Sequence, residues 1–177
     1  MDLEQKIKST IRDVVDYPKP GIIFKDITPL FSDPLLIREI IDSFKRQLVS
    51  VEFDAIAAVE ARGFIFGAIL AYEMNRPFIP IRKVGKLPYT TVQQEYALEY
   101  GSATIEMHSD AVRPGWKVLV HDDVLATGGT AAATGAMLQS VNADVAGFSF
   151  LINLSFLPGE ANLNRQFGNA VHSLVTY

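Results

Sequence analysis

The run Val118 to Thr130, VLVHDDVLATGGT, sets two adjacent carboxylates between an apolar strand and a small-residue turn that opens a helix. Ala126, Thr127, Gly128, Gly129 and Thr130 lack bulk, so their backbone N–H groups can converge on an anion while the helix start adds its positive end. A phosphate monoester fits such a turn. Asp122 and Asp123 cannot face that same phosphate, because like charges about 4 Å apart repel by roughly 1 to 4 kcal/mol between bulk-water and surface-like dielectric. They ask for hydroxyls or a metal. A ribose 5-phosphate answers both demands, its phosphate in the turn and its 2- and 3-hydroxyls donating to the carboxylates. As bare chemistry, an acidic pair at a strand end is as readily a solvated turn or a metal site as a sugar clamp. The run lacks the GxxxxGK[ST] of a Walker loop, and Gly128-Gly129 falls short of GxGxxG.

Four other places carry chemically capable side chains. In EARGF, Ala61, Arg62 and Gly63 put a guanidinium beside a glycine, where close backbone approach to an anion is possible and a surface turn is the plainer alternative. Arg82, Lys83 and Lys86 stand on a turn-rich loop, either as a solvated face or as an anion site. Pro20 to Asp26, with Ile23, Phe24 and Lys25 at its centre, has the form of a turn leading into a short core strand. Glu99, beside Tyr100 in LEYG, and Glu106 in IEMH are carboxylates on alternating segments, a pattern that normally faces solvent.

These groups need a scaffold, and the apolar spacing supplies one. Asp33-Pro34 is an N-cap followed by proline at the first helical position, and Leu35, Leu36, Ile40, Ile41, Phe44 and Leu48 carry that helix onward. Asp54 to Val59 has strand length, Gly63 to Met74 is a mostly apolar helix, and the alternation returns in Phe78 to Ile81, Lys117 to Val120, Gly129 to Leu138 and Val145 to Leu151. Such alternation predicts an α/β fold with a parallel sheet covered on both faces. Val92 to Met107 alternates like a short antiparallel pair, a flap on that sheet.

Composition narrows the class. With 177 residues, 49% of them hydrophobic, one packed domain spanning 1–177 is expected. A net charge of −4 offers no basic face for nucleic acid or an anionic membrane, so neither is an expected partner. The absence of cysteine rules out a disulfide framework and a thiolate nucleophile, and a charged, helix-like MDLEQKIKST is unlike a secretory signal. A cytoplasmic location is the expectation.

The complete run at 118–130 is similar to the phosphoribosyl diphosphate signature of the type I phosphoribosyltransferases. YPKPGIIFKDITPLF, EARGFIFG, IRKVGKLP and LEYGSATIEMH resemble, in order, the adenine-using branch of that family. The resemblance implies a central, mostly parallel sheet flanked by helices, an N-terminal base-recognition hood over 1–32 and a flexible flap over 83–107. It implies that Ala61, Arg62 and Gly63 hold diphosphate, with Arg82, Lys83 and Lys86 on a loop that closes over it. Backbone groups of Ile23 and Lys25 would recognise adenine, Phe24 would stack on the ring and Leu125 would cover its other face. Glu99, with Tyr100 beside it, becomes the acid/base candidate, and Asp122 and Asp123 hold the ribose. Mg²⁺, bound mainly through phosphoribosyl diphosphate, is the implied cofactor, adenine, AMP and diphosphate the other ligands, and a homodimer the implied assembly. Two residues depart from the family pattern: His121 stands where an aliphatic residue is usual, and Tyr89 where glycine is common. Rivals are a 6-oxopurine enzyme using Lys25 near O6, a nucleic-acid-binding sensor of phosphoribosyl diphosphate, and an ATP-dependent diphosphokinase-like protein.

Overall fold

The structure, a computed structural model, describes residues 1–97, 101–168 and 170–177. Its contacts divide the chain into Met1–Arg46 and Gln47–Tyr177. The first unit opens with α1 (Leu3–Thr10), where Asp2 and Gln5 form a reciprocal capping box. A hairpin follows, β1 (Arg12–Val15) against β2 (Ile23–Asp26). Because β2 is exposed to half-buried along its length, it is a surface arm and not the core strand its apolar residues suggest. A 3-10 turn at Thr28–Ser32 leads to α2 (Pro34–Gln47), whose start is capped by Asp33 Oδ1 accepting from Leu35 and Leu36 N–H at 3.0 and 3.1 Å. Leu36, Ile40, Ile41 and Phe44 form the expected buried stripe, whereas Leu35 points outward. Lys6 Nζ pairs with Glu39 at 2.7 Å, tying α1 to α2.

The second unit contains β3 (Ala55–Val59), α3 (Gly63–Glu73), β4 (Phe78–Lys83), β5 (Thr91–Ala97), β6 (Ser102–His108), β7 (Lys117–Leu125), α4 (Gly129–Ser140), β8 (Asp144–Asn153), α5 (Gly159–Phe167) and β9 (Val171–Thr176). Among the described residues these strands form one seven-stranded sheet in the order β5-β6-β4-β3-β7-β8-β9. The β4-β3-β7-β8-β9 part is parallel, and β6 joins β4 antiparallel, so the expected flap hairpin extends one edge of the sheet. Every residue of β3 is buried, which fits a central parallel strand with cover on both faces. Among the described residues no helix is long and apolar enough to cross a membrane.

Two differences from the sequence pattern matter for the site. The strand expected to stop at Val120 continues through Leu125, because β8 is long enough to pair with it as far as Asn153. Asp122 and Asp123 therefore sit within a paired strand, which fixes their backbone. The second difference is the closing α5–β9 unit, which apolar spacing does not announce: α5 buries only Gly159 and Leu163, and β9 is an edge strand.

Candidate active site

Loops leaving the carboxyl ends of β3, β4 and β7 converge, the place where open parallel sheets bind ligands. A cavity of about 180 Å³ lies there, lined by Glu60, Ala61, Arg62, Arg82, Lys83, Tyr96, Asp122, Asp123 and Thr130. A neighbouring cavity of about 90 Å³ is lined by Leu125 to Ala131 and shares Asp122 and Thr130 with the first. Asp122 thus borders both a cationic chamber and a glycine-rich one.

The two aspartates occupy different electrostatic settings. Asp123 is buried and its Oδ2 lies 2.9 Å from Arg62 Nε, so the guanidinium expected on diphosphate already balances a carboxylate. Burial raises Asp123 above the usual carboxylate range, a shift that the Arg62 charge offsets only in part. Asp122 is half-buried and accepts from the Asp123 N–H at 2.8 Å. Burial and the neighbouring Asp123 charge raise it well above the usual range. Gly63 explains part of that burial: a Cβ there would come within 2.7 Å of Asp122 Oδ1, so the start of α3 rests on this carboxylate. The glycine expected to allow close approach of a substrate anion is required first by an anion of the protein itself.

The turn after β7 is built for an acceptor. Gly128 adopts φ 81°, which glycine alone takes without strain, and caps α4 without a side-chain hydrogen bond, leaving the first-turn N–H groups to other partners. Its floor comes from α5. A Cβ on Gly159 would strike the Ala126 carbonyl oxygen, and Asn162 Nδ2 donates to the Thr127 carbonyl at 3.1 Å. Neither residue stands out in the sequence, because both act on a loop more than thirty positions away. Leu125 is buried, packs on Gly159 and lines the smaller cavity.

Across the cavity, Glu60 organises the cations. Arg82 Nε donates to its Oε2 at 2.8 Å and the Lys83 N–H to its Oε1 at 2.7 Å. Burial alone would raise Glu60, but the Lys83 amide and Arg82 guanidinium hold it below its usual range. Arg82 Nη1 also donates to the Lys86 carbonyl at 2.9 Å. The Lys86 side chain is exposed and lines neither cavity. Tyr96, on the flap strand β5, is a further residue unmarked by any motif: its hydroxyl accepts from Thr130 Oγ1 at 3.1 Å and its ring lies beside Gly129.

Ile23, Phe24 and Lys25 lie on the hairpin of the first unit, where Phe24 meets Tyr17 edge-on at 5.2 Å. Glu99 and Tyr100 lie outside the described residues. His121 is fully buried, with Nδ1 3.3 Å from Ser149 Oγ, and burial lowers it to about 4, so it is a neutral packing residue beneath the acidic pair. Tyr89 has φ 76°, the left-handed region in which glycine is at ease.

A mostly parallel sheet whose strand ends carry a cationic chamber, paired acids and a glycine-rich anion turn defines the class, a type I phosphoribosyltransferase. A family model described as "Phosphoribosyl transferase domain" matches residues 32–155. An adenine phosphoribosyltransferase of Cytophaga hutchinsonii is 55% identical over 175 residues, covering 99% of this chain and 96% of that one. The crystal structure of adenine phosphoribosyltransferase from Thermoanaerobacter pseudethanolicus superposes with a TM-score of 0.95 at 44% identity, covering 99% of this chain and 100% of that one. The Saccharomyces cerevisiae enzyme, solved with an imino-altritol bisphosphate and adenine, gives a TM-score of 0.88 at 35% identity, with 97% of each chain covered. The chain belongs to the adenine phosphoribosyltransferase family.

Proposed function

We propose that this chain transfers the 5-phosphoribosyl group of phosphoribosyl diphosphate to adenine, giving AMP and diphosphate. The observation that carries the reading is the shared position of Asp122, which borders the cationic chamber on one side and the Gly128-Gly129 turn on the other. A pentose lying along that acidic wall reaches the turn with its 5-phosphate and the chamber with its anomeric diphosphate. As the C1–O bond breaks, diphosphate takes the bonding pair, Arg62, Arg82 and Lys83 face the growing negative charge, and the carboxylates ease the positive charge on the ring. N9 of adenine then forms the new bond to C1 and loses its proton, with Glu99, the residue the resemblance assigns, as its acceptor.

Magnesium fits the donor set. Among the described residues no three acidic or histidine side chains form a metal cluster, and Mg²⁺ commonly binds through one or two carboxylates plus substrate phosphates. Asp122 would be the protein's contribution, since Asp123 is engaged by Arg62. When bound, the ion would supply charge neutralisation on the leaving diphosphate.

Adenine is favoured over a 6-oxopurine by the placement of Lys25. Its Nζ is held by Asp13 Oδ1 at 2.7 Å across the β1–β2 ladder, whereas a 6-oxopurine needs an ammonium directed at O6. Among the described residues β2 is paired on one side only, so alternate main-chain N–H and C=O groups face away from β1 and suit the donor-acceptor edge of adenine. Incubation with adenine, phosphoribosyl diphosphate and Mg²⁺ is expected to yield equimolar AMP and diphosphate, with hypoxanthine and guanine failing to compete. Glu99→Gln is expected to slow that turnover by about a hundredfold to ten-thousandfold. Preferential formation of IMP or GMP would transfer the assignment to another purine, and parental turnover in the glutamine variant would remove Glu99 from it.

The proposed homodimer rests on α3, which is apolar nearly all round. Ile65, Ala68 and Tyr72 lie on one exposed face at helical spacing, the last of them 83% exposed. Light scattering is expected to give twice the chain mass, falling to one chain mass in Tyr72→Asp. A parental protein of single-chain mass at micromolar concentration contradicts it.

A further inference from the structure

Glu106 lies on β6 opposite Arg82 of β4 and is only 2% exposed. Its carboxylate faces the connection between β4 and β5. The Lys86 and Leu87 N–H groups both donate to Oε1, at 2.9 and 2.8 Å, and the Thr91 hydroxyl donates to Oε2 at 3.2 Å. Burial would raise such a group, yet these donors hold it below the usual carboxylate range. A buried anion that accepts two main-chain N–H groups from one loop, and a hydroxyl from the strand that follows it, acts on that loop as an anchor.

The anchored loop needs one. Gly85 and Tyr89 both adopt positive φ, 83° and 76°, so the backbone between β4 and β5 follows a path that regular structure does not supply. Glu106 grips the Lys86 peptide by its N–H, while Arg82 Nη1 donates to the Lys86 carbonyl at 2.9 Å. Arg82 is held in turn by Glu60 at 2.8 Å. Two carboxylates, Glu60 just after β3 and Glu106 on β6, therefore bracket the cationic segment, one at each end of a continuous hydrogen-bonded chain.

We propose that Glu106 is a positioning residue for the diphosphate subsite: it preorganises the Lys86–Leu87 peptide, so that Arg82 and the cations beside it meet the diphosphate group without the loop being ordered at the moment of binding. This rests on the phosphoribosyl transfer reading above. Glu106 touches no substrate in this role. Its effect passes through the loop and is confined to the ligand that the loop serves.

The test is calorimetric titration of the full chain with Mg²⁺-diphosphate, together with steady-state kinetics. Glu106→Ala is expected to weaken diphosphate binding and raise the KM for phosphoribosyl diphosphate by about tenfold each, because the loop must then be ordered on binding. The KM for adenine should stay within about threefold. Glu106→Gln, which keeps one oxygen for both amides, should recover most of the loss, and faster hydrogen exchange at the Lys86 and Leu87 amides should accompany the alanine change alone. A purely structural role predicts a lower melting temperature with parental diphosphate affinity, and that result, measured where circular dichroism shows the variant folded, overturns the proposal. If the alanine variant does not fold, Glu106→Asp substitutes for it, since the shorter arm cannot reach both amides; unchanged diphosphate affinity there overturns the proposal equally. A parental protein that binds diphosphate but makes no AMP refutes the transfer reading and leaves the diphosphate arm of this test intact.

Discussion

Asp122→Asn and Asp123→Asn each lower AMP formation by about a hundredfold or more, yet they move the stability of the ligand-free chain in opposite directions. Asp122 is a carboxylate made costly by burial and by the Asp123 charge. Asparagine removes that charge and still accepts from the Asp123 N–H through its amide oxygen, so Asp122→Asn is expected to stabilise by about 1 kcal/mol at pH 7. Asp123 is the counter-ion of Arg62 at 2.9 Å, and its neutralisation leaves the guanidinium without that charge. The Arg62 side chain is 35% exposed, so water recovers part of the loss and the expected cost is about 1 to 2 kcal/mol. Urea titrations of both variants check this, and shifts of the same sign would refute the division of roles.

The pH dependence carries the sign of each shift. Because the folded chain holds the Asp122 proton more tightly than the unfolded chain does, the stability linked to this group is largest below 3.8 and declines as pH rises through its folded value. Asp122→Asn flattens that slope. Substrate hydroxyls, or a cation carried with diphosphate, favour the ionised form, so ligand binding is expected to release a proton in the same range, which calorimetry in buffers of different ionisation enthalpy measures.

His121 produces the opposite slope. Its imidazole is sealed in the sheet, with Ser149 beside it and α3 above it, where a Cβ on Gly67 would sit 3.3 Å from a ring carbon. Burial lowers its value from 6.5 to about 4. The unfolded chain therefore takes up a proton below 6.5 while the folded chain does not, and stability falls as pH drops from 6.5 towards 4. A difference of that size corresponds to at most about 3 kcal/mol, enough to dominate acid unfolding of a marginally stable chain. His121→Leu combined with Ser149→Ala, which leaves no stranded hydroxyl, should abolish this component while adenine turnover at pH 7 stays within about twofold. An unaltered acid limb in the double variant would place the loss elsewhere, and collapse of turnover would give His121 a part in the chemistry.

Much of this was open to reading in one dimension because its causes are local. Strand, acidic pair, glycine turn and helix start are contiguous in 118–130, and backbone conformation, small side chains and helix polarity act over a few residues. The apolar stripe of α2 and the continuous apolar runs of α3 and β3 are equally local. The roles of Glu60 and Glu106 are hidden by the same rule: their partners at Lys83 and Lys86 lie 23 and 20 positions away, and a carboxylate on an alternating strand looks the same whether it meets water or a buried amide. The closing α5–β9 unit escaped because α5 buries only two residues and leaves no stripe to detect.

From its amino acids alone this chain declares which groups are available: a phosphate turn, a pair of acids, a set of cations and an alternating α/β frame to carry them. Only the folded chain decides what each charge faces. Strand β7 runs past the acidic pair because β8 accompanies it, so one aspartate meets Arg62 and its neighbour meets the start of α3. Burial and the nearest opposite charge act through space over a few ångströms, and contacts at that range are set by sheet order and packing, not by adjacency along the chain.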